Sequence, residues 1–182
     1  LTLLVTIAIA AIAFLQWETF EKTDKTLKAQ QRAWLEPQGV TIISGLKAGE
    51  ALSYQIKFTN VGKEPAINMV LQSEPQYLEV PANNTMSGYF PGKNEWCKKV
   101  RPNSEGLVVW PSAPKSIVYS VNTQPDKDIL EGRKFLLIEG CFGYETVGEN
   151  RFSSFCFYTR PSPDLTIDKW PVLSCMNHHN AD

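Results

Sequence analysis

Residues 52–60 read LSYQIKFTN. Leu52, Tyr54, Ile56 and Phe58 alternate with Ser53, Gln55, Lys57 and Thr59, so an extended chain here is apolar on one side and polar on the other. A period of two marks a half-buried strand, because successive side chains point to opposite faces. Gly62-Lys63-Glu64-Pro65 is turn material, and Ile67, Met69 and Leu71 then resume the alternation. Further short runs follow at 76–80, 106–110, 116–121, 133–142 and 151–158, separated by proline- and glycine-rich breaks. Beyond Pro37 no segment holds a helical period. The pattern predicts seven to nine short strands and a mainly β fold over residues 37–182, namely an antiparallel immunoglobulin-like β-sandwich followed by a C-terminal tail. A closed barrel is the alternative.

Upstream the composition changes. Residues 1–17, LTLLVTIAIAAIAFLQW, carry no charge, and only Thr2, Thr6 and Gln16 are polar. At a rise of roughly 1.5 Å per residue they span about 25 Å, slightly under a hydrocarbon core of roughly 30 Å. The expectation is a transmembrane helix whose N-terminal part lies upstream of Leu1, with Trp17 as the interfacial aromatic. A signal peptide would need a small-residue cleavage site, which Trp17-Glu18-Thr19-Phe20 does not supply. The helical pattern continues through residues 18–36 as a stalk. Glu18/Lys22, Glu21/Lys25 and Asp24/Lys28 are acid-to-lysine pairs in the favourable i,i+4 order. Phe20, Leu27 and Trp34 recur every seven residues as a narrow apolar stripe, suited to a partner helix or to the chain's own domain. Glu36-Pro37 is the expected helix end, because a residue before proline avoids the α region.

The four cysteines, Cys97, Cys141, Cys156 and Cys175, show no zinc-type pair spacing and are expected to form structural disulfides, which places the domain outside the cytoplasm. Gly148-Glu149 is a candidate two-residue hairpin turn, setting Val147 opposite Asn150, Phe142 opposite Phe155 and Cys141 opposite Cys156. In that register the two cysteines fall on a hydrogen-bonded pair, further apart than a disulfide prefers. Among three connectivities, Cys97–Cys141 with Cys156–Cys175 is preferred, and the choice stays open at this point.

Lysine plus arginine number 18 and aspartate plus glutamate 19 among 182 residues, a balance that excludes a basic nucleic-acid surface. Catalytic constellations are missing. The two histidines, His178 and His179, stand near the chain end, and no phosphate loop, haem or zinc motif is present. No enzyme activity and no cofactor are expected. Met176, His178 and His179 beside Cys175 are weak candidates for a copper site, against the blander expectation of a disulfide cysteine followed by a polar tail. Glu139 is expected to be solvent-facing or hydrogen-bonded, and Lys98, Lys99 and Arg101 a solvated loop. Asn83-Asn84-Thr85 matches a glycosylation acceptor only by pattern. Trp96, Trp110 and Trp170, in loop-rich surroundings, suit packing at the sandwich ends or a protein interface.

Several stretches carry a resemblance. QWETFEKTDKTLKAQQRAWLEP (16–37), FTNVGKEPAINMVL (58–71), GCFGYETVGENRFSSFCFY (140–158) and the ending CMNHHNAD resemble, in that order, a group of uncharacterised bacterial single-pass inner-membrane proteins. The resemblance implies an inner-membrane anchor carrying an extracytoplasmic β domain, with no activity to carry over. The N-x-G-x-x-P-A stretch at 60–66 is similar to a strand–turn–strand of immunoglobulin-like modules. The function expected is a non-catalytic accessory subunit of a larger bacterial membrane complex, with photosynthetic or respiratory assemblies as hosts by analogy. Its partners would be other subunits of that complex and the lipid bilayer, with no nucleic acid, and its β domain would lie in the periplasm. A free-standing membrane-anchored binding or sensing module is the alternative.

Overall fold

The computed structural model describes residues 2–45, 50–80, 97–122, 124, 127–159 and 171–175, with the side chains of the first helix from residue 10 onward. Helix α1 (Thr2–Gln31) leads into eight strands: β1 (Leu35–Ser44), β2 (Leu52–Asn60), β3 (Ala66–Glu79), β4 (Leu107–Val109), β5 (Pro114–Val121), β6 (Lys134–Thr146), β7 (Glu149–Thr159) and β8 (Val172–Ser174). One turn of helix, α2 (Lys127–Leu130), sits between β5 and β6. The strands form two antiparallel sheets, ordered β1-β2-β5 and β4-β3-β6-β7-β8.

The alternation read at residues 52–60 decides how the sheets meet. Leu52, Tyr54, Ile56 and Phe58 are fully buried on one face of β2. Across the interior they face Leu136, Ile138, Phe142 and Tyr144 of β6 and Phe155 of β7, all in one apolar cluster. Phe58 packs on Phe142 with ring centroids 4.8 Å apart, and Phe142 on Phe155 at 5.2 Å. Such tilted aromatic contacts add about 0.5–1.5 kcal/mol each beyond area burial. The outer face of β6 and β7 is also covered. Cys97, Val100 and Phe152 pack round Cys141, while Phe135, Leu137 and Cys175 pack round Cys156. This explains why β6 and β7 read as nearly continuous apolar runs and not as alternating ones.

Three sequence expectations are corrected. The helix ends at Gln31, five residues before Glu36, and Leu35-Glu36-Pro37 belong to β1. Tertiary partners outcompete helical ones there: the Thr146 hydroxyl takes the Ala33 N–H and Leu35 is drawn into the core. The hairpin turn is Val147-Gly148, both at positive φ (51° and 72°), as a type I′ turn requires. Thr146 therefore faces Glu149, Phe142 faces Ser153 and Cys141 faces Ser154, not Asn150-, Phe155- or Cys156-based pairs as expected. Finally, the runs at 67–71 and 76–80 are one strand, β3, which passes through Pro75. Proline is tolerated because β4 borders β3 only at Ala66 and Met69, so among the described residues no strand needs an N–H on that side.

Both disulfides have the preferred connectivity, Cys97–Cys141 and Cys156–Cys175. The conclusion stands although its premise does not, since Cys141 and Cys156 are diagonal to one another and not opposite.

Candidate functional site

Two features stand apart from the sandwich core: the bare helix α1 and the junction by which it enters the domain. Along α1 the three anticipated ion pairs form, Glu18–Lys22 at 2.8 Å, Glu21–Lys25 at 2.6 Å and Asp24–Lys28 at 2.8 Å. The bond to Asp24 holds the Lys28 ammonium above its ordinary pKa. Thr19, Thr23 and Thr26 return their hydroxyls to the carbonyls of Leu15, Thr19 and Lys22. These bonds hide polar groups from one side of the helix, where Ile12, Leu15, Gln16, Thr19, Phe20 and Thr23 line a shallow, open apolar face.

Nothing in the described domain covers that face. Phe14, Leu15, Trp17 and Phe20 are 61–69% exposed and Leu27 is 48% exposed. The stripe of Phe20, Leu27 and Trp34 is therefore broken by the fold. Phe20 and Leu27 remain on the helix, whereas Trp34 lies beyond its end, under the Arg32 guanidinium at 4.0 Å from the ring centre. Among the described residues, no helix is long and apolar enough to cross a membrane.

The junction, residues 32–34, is gripped from three sides. Ala33, 1% exposed, donates its N–H to the Thr146 hydroxyl at the end of β6, and its carbonyl lies 3.4 Å from the Tyr144 hydroxyl. Asn60, fully buried at the end of β2, is the central post. Its side-chain carbonyl accepts from Trp34 N–H (3.1 Å) and Gly62 N–H (2.9 Å). Its amide donates to the carbonyls of Glu64 (2.8 Å) and Val109 (3.0 Å). One side chain thus satisfies four backbone groups on three segments. Gly62 closes the grip: a Cβ there would lie 2.2 Å from the Arg32 carbonyl oxygen and 2.7 Å from Ala33 Cα and Trp34 N. Only glycine fits. The N-x-G-x-x-P-A stretch noted in the sequence is this clamp, and the Asn60–Gly62 bond is an Asx-type turn legible in principle from N-x-G.

Beside the clamp lies a charged cluster. Tyr144 on β6 stands directly across from Arg151 on β7, and its hydroxyl is 3.1 Å from Ser153 Oγ. Burial raises the Tyr144 pKa, while the Ser153 bond, a backbone bond to Leu35 and the charges of Arg32 and Arg151 draw it back. Arg151 pairs with Glu149 on the same strand.

The remaining candidates scatter. Glu139 is half-buried on β6 in register between Glu74 and Cys156. Lys98, Lys99 and Arg101 are exposed, as is Trp110, so they form no pocket. Trp96, Trp170, Met176, His178, His179 and the 83–85 acceptor pattern lie outside the described residues. Cys175 is committed to a disulfide and supplies no thiolate to the tail. Among the described residues no cluster of metal-ligating side chains occurs. No protein-family model matches the chain, and neither the curated proteins nor the solved structures hold a match to it.

Proposed function

We propose that the chain is a non-catalytic accessory subunit of a bacterial membrane complex, anchored through α1 and presenting its β domain in the periplasm. One observation carries this: from residue 10 to residue 31 the helix lies bare of its own domain, with large apolar side chains on the surface. A lone helix is marginal in water, because most helical stability in proteins comes from packing an apolar face. An uncharged run over residues 1–17 followed by the Phe14–Phe20 surface suits lipid at its start and partner helices further on. The rigid clamp at 32–34 supports the same reading, since it fixes the domain to the helix as a docking arm would require. Two buried disulfides fit an oxidising compartment.

The strand order supports an immunoglobulin-like assignment. β1-β2-β5 against β3-β6-β7 corresponds to A-B-E against C-F-G, with β4 placed beside C. Neither disulfide is the B–F link of antibody domains; each instead pins an outer layer onto the larger sheet.

The test is extraction in gentle detergent followed by native sizing. A particle well above the 20.5 kDa chain plus its micelle, dissociated by Leu15→Glu with Phe20→Glu, supports the proposal. A chain released by alkaline carbonate, or one running only as a monomer plus micelle, overturns it.

A further inference from the structure

We propose that β5 is a self-association edge, along which two copies of this chain pair antiparallel about a two-fold axis at Val118. Among the described residues every other open edge of the two sheets is blunted. β1 carries Pro37 and two breaks in register against β2. β4 and β8 are three residues long, and the part of β3 that runs past β4 contains Pro75. Short strands, prolines and bulges are the means by which sheet edges avoid pairing with other chains. β5 has none of them past its first residue. It runs eight residues against β2 without a register shift, and among the described residues no strand pairs with its outer edge. Its proline, Pro114, begins the strand, and its one charge, Lys115, comes next.

The occupant is a second copy because the strand is complementary to itself. Rotation about Val118 sets Ser116 opposite the second copy's Ser120, Ile117 opposite its Tyr119, and Val118 opposite its Val118. The rungs match in chemistry. Val118, 53% exposed on the outer face, meets its own counterpart. Ile117 and Tyr119 lie half-buried at the margin of the core, and an aromatic opposite a β-branched residue is a favoured cross-strand pair. The Ser116 hydroxyl accepts from Gln55 Nε2 at 3.0 Å and keeps its proton, whereas the Ser120 hydroxyl donates to Ser53 Oγ at 3.2 Å and keeps its lone pairs. Ser116 is therefore free to donate to the second copy's Ser120. Charge agrees as well. The antiparallel rung puts Lys115 opposite Val121, so the two lysines never face each other, as they would in a parallel pair in register. The axis stands normal to the sheet, so two copies anchored in one membrane would carry β5 along its plane, with α1 turning off at the bend at Arg32.

The experiment follows the purified full chain in detergent by sedimentation velocity over a concentration series. The expected result is a reversible dimer. Val118→Lys should raise its dissociation constant roughly tenfold or more, because two like charges then face each other across the axis. Ile43→Lys, at a similarly exposed position on β1, should leave it unchanged. Oxidative cross-linking reads the register without adding charge. Val118→Cys should link to its own counterpart, whereas Ser116→Cys should link only when Ser120→Cys is also present. A chain that stays monomeric, a dimer indifferent to Val118→Lys, or efficient self-linking of Ser116→Cys alone would overturn the proposal. Leu15→Glu with Phe20→Glu should leave this dimer intact, which separates it from assembly through α1, and loss of the dimer in that variant counts against β5.

Discussion

Replacing Asn60 by alanine tests whether one buried amide holds the helix to the domain. The substitution removes four hydrogen bonds of 2.8 to 3.1 Å, to Trp34 N–H, Gly62 N–H, and the Glu64 and Val109 carbonyls. At a net of about 0.5–1.5 kcal/mol each, the loss lies between about 2 and 6 kcal/mol. Water can reach the partly buried partners, whereas the Val109 bond is buried, so about 3–4 kcal/mol is expected. For a chain of this size that lowers the melting temperature by roughly 6–16 °C. The assay is urea unfolding of the full chain in detergent, with the midpoint falling and the slope unchanged. Asn60→Asp sharpens the test. It keeps both acceptor roles but turns a carboxylate oxygen towards two carbonyls, so its folded pKa must rise above the unfolded value of about 3.9. A raised folded pKa means that stability is fully present below the unfolded value and is lost as pH rises through the folded one. The aspartate variant should therefore approach wild type in acid and fall away towards neutrality. A loss under about 1 kcal/mol in the alanine variant, or a pH-independent deficit in the aspartate variant, would refute the role given to Asn60.

Gly62→Ala should cost about 1–3 kcal/mol by forcing a methyl onto the Arg32–Trp34 backbone, measurable by the same unfolding curves; an unchanged midpoint would mean the junction is loose. Removing Cys97–Cys141, which closes a separation of 44 residues, should cost about 4 kcal/mol in the chain-entropy model. Removing Cys156–Cys175, with a separation of 19, should cost about 3 kcal/mol, and paired cysteine-to-serine variants compared by thermal unfolding would reverse this order if native strain dominates. Burial raises the pKa of Tyr54, Tyr119 and Tyr144, so their contribution is intact below the ordinary tyrosine value of 10.0 and is lost as pH rises through the elevated folded values. Melting temperature should accordingly drop above pH 10.0 in step with tyrosinate absorbance, and a flat profile would contradict the burial.

What the sequence made legible follows the ranges over which its signals act. The period of two at Leu52–Phe58 predicted the core face of β2 residue by residue, because burial on one side of a sheet is a local pattern. The ion pairs of α1 were equally legible, being set by helix pitch alone. The hairpin register was missed because Gly148 was placed first in its turn, as a type II′ turn has it, and not second as in type I′. In fact Val147, a β-branched residue, is pushed to positive φ by the pairing on either side. The early helix end was hidden for a different reason. Residues 32–35 carry no local breaker, and the Ala33 N–H is taken instead by Thr146, which is distant in sequence. Asn60 looked like ordinary turn chemistry, and its four partners lie on segments that only the tertiary fold brings together.

The clamp also sets how the molecule answers to tension. A pull along α1 enters the domain at residues 32–34, where Asn60, Thr146 and Gly62 take the load first. Beyond them lies β1, which among the described residues is an edge strand paired with β2 alone, beginning at Leu35 opposite Asn60. Its ladder would open from that end like a zipper, one rung at a time, once the clamp yields. The unravelling would halt in the larger sheet, because the Cys97–Cys141 and Cys156–Cys175 bonds lock the intervening chain against extension. Under such a pull, residues 32–34 would be the first part of the described structure to yield, ahead of a sheet that two disulfides cross-link.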